Sequence, residues 1–390
     1  MSTVLKTQIE KTNIFPVYLD CNATTPMEPR VQELVLTFMA NEFGNSGSRT
    51  HEYGNRAKVA VQRARGQVAD LLKCQREEVI FTSGATESNN LALLGLRAHA
   101  EKTGRKHIIA TAVEHKAILE PLEFLTASGF DVTLVAPDQG GAISAENILG
   151  ALRSDTLLVS VMHVNNETGV IQPLGEIAAA LEGHSAFFHV DAAQGFGKRI
   201  EDLQNPRIEL ISVSGHKIYG PKGVGALVIR RRGFERVPLA ALCFGGGQER
   251  GLRPGTLPVP LIVGLGEASA IAQQEWTHRE KRVRKIREEA LRSFLSIGGV
   301  PNGDQEKVLP STLNISFPGL DSEAVMLALK HDVAISNGSA CTSQNYTPSH
   351  VLAAMTLPPA RIASALRFSW CHLTPDVDWE SIAVRIRSLG

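Results

Sequence analysis

The chain has no run approaching the ~20 consecutive apolar residues that a membrane span needs. Its first stretch, Met1 to Lys11, contains no apolar core of the kind a secretory leader carries, so a cytoplasmic protein is expected. Charge of one sign is also missing: Lys+Arg and Asp+Glu both number 40, and the pI is about 7.2. A protein that grips nucleic acid as its main business needs a basic footprint, so no direct nucleic-acid binding is expected. Cysteines are few. Cys21, Cys74, Cys243, Cys341 and Cys371 are odd in number and form no CxxC pair, which disfavours a disulfide framework and a zinc site. No metal is expected, and there is neither an internal repeat nor a low-complexity segment.

What is present suits a soluble globular protein of about two domains: 390 residues, 43% of them hydrophobic and 21% charged. Strands are expected at Val79–Thr82, His107–Ala112, Asp131–Val135, Leu157–Val164, Ala186–Val190, Leu210–Ser214 and Gly225–Ile229. Helices are expected between them over Thr86–Ala100, Ile118–Ser128, Ala145–Arg153 and Leu174–Leu181. This alternation predicts an α/β fold, a mostly parallel sheet flanked by helices, with ligands at the carboxyl ends of the strands. Glu275–Phe294, dense in Lys, Arg and Glu, reads as a long, largely solvated helix leading to a smaller α+β unit. That unit is expected to hold strands at Leu313–Phe317 and Ala365–Ser369 and a helix from Ser322 capped by Asp321. A final helix is expected to begin at Thr374 as N-cap and run to Arg387. The division expected is a large domain over 28–272 and a small one formed by 1–27 and 273–390.

Three segments carry chemistry. Ser214-Gly215-His216-Lys217 ends a β-rich run and is followed by Ile218-Tyr219-Gly220-Pro221. Most lysines are solvated surface charges, but one forced to the end of a buried strand among glycines is placed for covalent work. Upstream, Asp191 ends another apolar run in His189-Val190-Asp191-Ala192-Ala193-Gln194. It reads either as a turn residue or as the acid that protonates the pyridine nitrogen of pyridoxal phosphate and so makes the ring an electron sink. Phe81-Thr82-Ser83-Gly84-Ala85-Thr86-Glu87 joins a strand to a helix through small residues. Such a helix start holds a phosphate, or is a capping box with Ser83 or Thr86 near the cap position.

Together these residues resemble the cysteine desulfurase family, pyridoxal-phosphate enzymes of the class V aminotransferase fold. Further blocks stand in the family's order. They are Tyr18-Leu19-Asp20-Cys21-Asn22-Ala23-Thr24-Thr25-Pro26, Phe43-Gly44-Asn45, Glu114-His115-Lys116 and His163-Val164-Asn165-Asn166-Glu167. Gly245-Gly246-Gly247-Gln248-Glu249, Arg253-Pro254-Gly255-Thr256 and Gly338-Ser339-Ala340-Cys341 complete the set. The resemblance implies a PLP-dependent transferase of fold type I, with pyridoxal 5'-phosphate held as a Schiff base by Lys217. Asp191 would pair with the ring nitrogen, His115 would stack on the ring and move protons, and Gln194 would bond the phenolic oxygen. The phosphate would be held by Ala85, Thr86, Ser214 and His216, with Thr256 reaching in from a second subunit of a homodimer. Asn166 and Arg367 would hold the carboxylate of L-cysteine, a task for which a planar guanidinium is suited.

Cys341 would decide the reaction. It lies in Ser336-Asn337-Gly338-Ser339-Ala340-Cys341-Thr342-Ser343, a run of small polar residues unlike a core strand, where a thiolate is accessible. By resemblance it would take the substrate's sulfur as a persulfide, release L-alanine and pass the sulfur to an acceptor protein. The other four cysteines are expected to be structural, Cys21 with least assurance because it adjoins a family block. After Arg367 many relatives continue with a Gly-Arg pair, whereas Trp370-Cys371-His372 stands here. Housekeeping members carry a longer tail that docks an iron–sulfur scaffold protein, while this chain stops at Gly390. A member serving a dedicated sulfur-modification route, of the DNA phosphorothioation type, is the expectation. Two other readings stand beside it. One is a selenocysteine or cystine lyase of the same fold, which has no need of Cys341. The other is a non-catalytic scaffold, which has no need of Lys217, Asp191, His115 and Arg367.

Overall fold

The structure, a computed structural model, describes residues 15–337 and 348–390. Its central sheet has seven strands: β1 (Val79–Thr82), β2 (His107–Thr111), β3 (Asp131–Val135), β4 (Thr156–Met162), β5 (Phe187–Asp191), β6 (Leu210–Ser214) and β7 (Gly225–Ile229). Their order is β1-β7-β6-β5-β4-β2-β3. Strand β7 runs antiparallel to both neighbours, and the other pairings are parallel. A parallel sheet is covered on both faces, and its residues sort by the two-residue period of a strand. Ile109, Val159 and Ile211 face one core, formed with α1 (Pro29–Ala40), α2 (Glu52–Leu72) and α5 (Val259–Leu295). Ile108, Leu158 and Leu210 face the other, formed with α3 (Ala85–Leu94) and α4 (Lys116–Ala127).

The C-terminal half of α5 packs a separate core. Val283, Ile286, Ala290 and Phe294 lie against Leu313, Ile315, Leu366, Phe368, Trp370 and Trp379. Several of these come from a three-stranded sheet of β8 (Val300–Pro301), β9 (Thr312–Ser316) and β10 (Ala365–Ser369). The N-terminal segment joins the same region, since Val17–Tyr18 pairs with Val333–Ala334 and Asp20 bridges Ser369. Among the described residues no helix is long and apolar enough to cross a membrane.

Three expectations are corrected. The helix expected over Thr86–Ala100 is two helices, α3 and Arg97–Thr103. They part at Gly95, whose carbonyl accepts the Ala240 N–H at 2.8 Å, and a Cβ there would lie 2.3 Å from Leu91 O. The last helix begins at Trp379, not after Thr374, because Asp378 Oδ1 takes the Ser381 N–H at 3.0 Å. Thr374 Oγ1 instead accepts the Cys371 N–H at 3.0 Å. The long helix, 37 residues, is not a solvated connector. Arg279 is buried and donates to Glu28 Oε2 at 2.7 Å and to Glu275, while buried Arg287 donates to Thr312 O and Gln305. Arg230, the first of three consecutive arginines, is likewise buried, donating to the carbonyls of Leu72, Leu203, Asn205 and Ile208. Apart from Glu275 these partners lie far off in sequence, so the charge pattern of 275–294 reads Arg279 and Arg287 as solvent-facing.

Candidate active site

The carboxyl ends of the strands and the start of α3 enclose a cavity of about 480 Å³. Its floor is set by glycine. Gly84, between β1 and α3, has φ 156° and ψ −177°, a region glycine alone occupies readily. Gly225 opens β7 directly beneath it, where a Cβ would sit 2.6 Å from Gly84 Cα. Neither Ser83 nor Thr86 caps α3: Gly84 is the N-cap residue, and no side chain bonds the first turn. Glu87 Oε2 takes the Ser83 N–H at 2.7 Å and is paired to Arg253. The N–H groups of Ala85 and Thr86 are therefore left to a ligand, at the positive end of the helix, with Ser214 and His216 on the opposite wall.

Lys217 follows β6 by one tight turn and lines the cavity. Its Nζ donates to Ala23 O at 2.8 Å and to Asn22 O, so the segment 20–25 forms a strap over the amine. Asp191 ends the adjacent strand β5 and is 5% exposed. Its Oδ2 accepts from Asn89 Nδ2 at 2.7 Å and its Oδ1 from the Ala193 N–H at 2.9 Å. Those bonds fix the orientation of the carboxylate. Gln194 Nε2 donates to Asn22 O at 2.9 Å, and among the described residues neither its buried Oε1 nor Asn89 Oδ1 has a partner.

His115 caps α4, its Nδ1 accepting from the Ala117 N–H at 3.0 Å. The neutral ring therefore carries its proton on Nε2. Burial holds His115 below the usual histidine range, against the opposing pull of Asp191. Burial, with Lys217 and Lys222 adding, lowers His216 to about 4, so that ring is neutral and bonds Thr24 Oγ1 at 3.1 Å. Glu114 behaves oppositely. Complete burial pushes its carboxyl up to about 8, and it ties β4 to the turn before His115 by accepting the Met162 N–H at 2.7 Å.

Arg367 enters the cavity from the middle of β10, 1% exposed. Nη2 is bonded to Asp20 Oδ1 at 2.6 Å and Nη1 to Asn166 O at 3.1 Å, while the buried Nε has no partner among the described residues. Asn166 reaches the cavity on a turn that the Asn165 side chain locks by accepting the Glu167 and Thr168 N–H groups, each at 2.9 Å. The cavity thus gathers Ala85, Thr86, His115, Asn166, Asp191, Gln194, Ser214, His216, Lys217 and Arg367. Thr256 is not among them; it lines a separate cleft with Asn45 and Gln248. Cys341 lies outside the described residues. Sequence reasoning gave no role to Asn22, Asn89 or Asp20, although Asp20 and Asn22 stand in a block it singled out. The available signal for Asn89 was its place one turn along the helix that opens at Ala85.

Residues 17–380 match the family described as Aminotransferase class-V. The cysteine desulfurase IscS of Shewanella oneidensis is 48% identical over 364 residues, 93% of this chain and 89% of that protein. Among solved structures, DndA from Streptomyces lividans superposes with a TM-score of 0.80 at 52% identity, covering 90% of this chain and 98% of that one. A structure of SspA in complex with cysteine gives 0.79 at 36% identity, covering 93% and 99%. With a lysine and an acid at adjacent strand ends, an uncapped helix start and a cavity arginine, the chain belongs to the cysteine desulfurases of the aminotransferase class-V family.

Proposed function

We propose that this chain is an L-cysteine desulfurase that uses pyridoxal 5'-phosphate, releases L-alanine and carries the sulfur on Cys341 to an acceptor protein. The observation that carries the reading is the meeting of Lys217, Asp191 and Arg367 in one cavity. The family implies the cofactor, and the residues fit it: an uncapped helix start suits a phosphate, and the orphaned Gln194 Oε1 and Asn89 Oδ1 await a polar ligand. Ala85, Thr86, Ser214 and His216 would hold the phosphate, Asp191 the ring nitrogen and Gln194 the phenolic oxygen. When bound, pyridoxal phosphate supplies an electron sink for the substrate's α-carbon.

The chain's own residues supply the rest. Lys217 would hold the cofactor covalently, and its amine would be the base for the substrate's α-proton. Arg367, with Asn166, orients the substrate carboxylate, its unpaired Nε being the donor still to be used. His115, neutral and protonated on Nε2, is the candidate proton donor to the product carbon. Cys341 attacks the substrate sulfur; an S–S bond forms as the C–S bond breaks, so cysteine and one thiol give alanine and one persulfide. In the two-part division at 28–272, the larger part supplies the cofactor groups and the smaller part Arg367 and Cys341. The high identity to DndA is consistent with a dedicated sulfur-modification route of the phosphorothioation type.

The test is product analysis with L-cysteine and a thiol reductant. Equimolar alanine and sulfide, with a persulfide on the protein when reductant is withheld, is the expected result. Pyruvate in place of alanine, or alanine from selenocysteine alone, would replace the reading with the lyase. The enzyme is further proposed to be a homodimer in which Thr256 completes the partner's phosphate site. Light scattering should give twice 42.1 kDa, and a fully active monomer would exclude shared sites.

A further inference from the structure

Two cysteines left without a role by the sequence are neighbours in the fold. Cys21 stands in the strap over Lys217, and Cys371 follows β10. Backbone pairing brings them together: the Cys21 N–H donates to Ser369 O at 3.0 Å and the Asn22 N–H to Ser369 Oγ at 2.9 Å. The two thiols lie together in a small buried cluster that Tyr219 closes. Cys21 is 4% and Cys371 1% exposed, and neither lines the cavity of Lys217.

The third member is Lys198, 3% exposed, on the turn after β5. Its charge partners are the Cys21 and Cys371 thiols, and among the described residues no carboxylate shares that role. The nearby acids are engaged elsewhere, Asp20 with Arg367 at 2.6 Å and Glu28 with Arg279 at 2.7 Å and His372 at 3.2 Å. Tyr219 presents its ring to the edge of His372 and the guanidinium of Arg279, and burial keeps its phenol protonated. A buried ammonium without a counter-ion is costly, and a thiolate is the anion within reach. The neighbouring Cys21 thiol draws Cys371 down to about 7, with Thr374 and Lys198 adding, and Cys21 is raised in return. Cys371 is therefore the thiol of the two that ionises more readily.

We propose that Cys21 and Cys371 form a redox modification site, a dithiol that hydrogen peroxide closes into an internal disulfide. The Cys371 thiolate attacks one peroxide oxygen; the O–O bond breaks, leaving a sulfenic acid and a hydroxide that takes a proton to become water. The Cys21 sulfur then attacks the sulfenic sulfur, loses its proton and expels a second water as the S–S bond forms. Two thiols and one peroxide give one disulfide and two waters. The bond would tie the strap whose Asn22 carbonyl holds Lys217 and Gln194 to the strand that carries Arg367.

The experiment uses the full-length holoenzyme carrying Cys341→Ser, so that the loop thiol cannot compete. After hydrogen peroxide, remaining thiols are blocked under denaturing conditions and the protein is digested without reductant. Expected are a loss of two hydrogens from the intact mass and a linked peptide containing Cys21 and Cys371, both reversed by dithiothreitol. Lys198→Met should slow that linkage at least about tenfold at neutral pH, with the difference closing at high pH where an unassisted thiol ionises. Oxidation of exposed Cys243 without any Cys21–Cys371 linkage would overturn the proposal. So would a linkage rate indifferent to Lys198→Met. Should that variant fail to fold, the linkage result with Lys198 in place still decides.

Discussion

Lys217→Ala is expected to lower kcat by at least about three orders of magnitude, because one side chain is removed from two tasks, covalent hold and proton abstraction. The remaining phosphate and ring contacts do not involve Nζ, so the cofactor should still bind. Borohydride treatment separates the two effects. In the unsubstituted enzyme it should fix the cofactor to the peptide containing Lys217 and remove its visible absorption band; in Lys217→Ala it should fix none. The substitution leaves the Asn22 and Ala23 carbonyls without their donor, a loss of about 1–3 kcal/mol were they sealed from water. The cavity is open to solvent at this point, and water can replace the amine, so the fold should survive. Two other lysines make the test sharp. Lys222 lines the same cavity, and Lys198 is buried nearby. Fixation of the cofactor to either would remove Lys217 from its assigned place.

Strands β1, β2, β4, β6 and β10 are buried at every residue, which made their apolar runs readable, whereas β3 is only partly buried. β1, β3, β6, β7 and β10 fall where apolar runs predict them, to the residue. What the runs do not carry is direction: nothing in Gly225–Ile229 marks it as antiparallel to its neighbours, since that follows from where the chain must go next. The site divides the same way. Lys217 and Asp191 stand out because a polar group at the end of an apolar strand is conspicuous. Asn22 does not, since its contact with Lys217 spans 195 positions and its amide resembles any turn residue. Arg367 was readable as a cavity arginine, but its partner Asp20 was not. Charge patterns misled most, because Arg279 and Arg287 are buried and, Glu275 apart, bond an acid, an amide and a carbonyl that no local window contains.

Cys341→Ser is expected to separate cofactor chemistry from sulfur transfer. Among the described residues the cavity is lined from the strand ends, the 20–25 strap, the turn of Asn166, α3, α4 and β10, and the substitution alters none of these groups. The variant should therefore bind pyridoxal phosphate with unchanged affinity and give the same spectral response to L-cysteine as the unsubstituted enzyme. A serine hydroxyl, un-ionised at neutral pH and a poor nucleophile toward sulfur, cannot accept the substrate's sulfur atom. Without an acceptor the C–S bond stays closed, so alanine formation should fall at least about a hundredfold and no protein persulfide should appear. The measurement is alanine per active site alongside the cofactor spectrum. Alanine release at the unsubstituted rate would mean that sulfur leaves without a protein thiol, and the chain would be a lyase built on the same cavity. Loss of the spectral response as well would place Cys341 in substrate binding, and the separation of the two steps would fail.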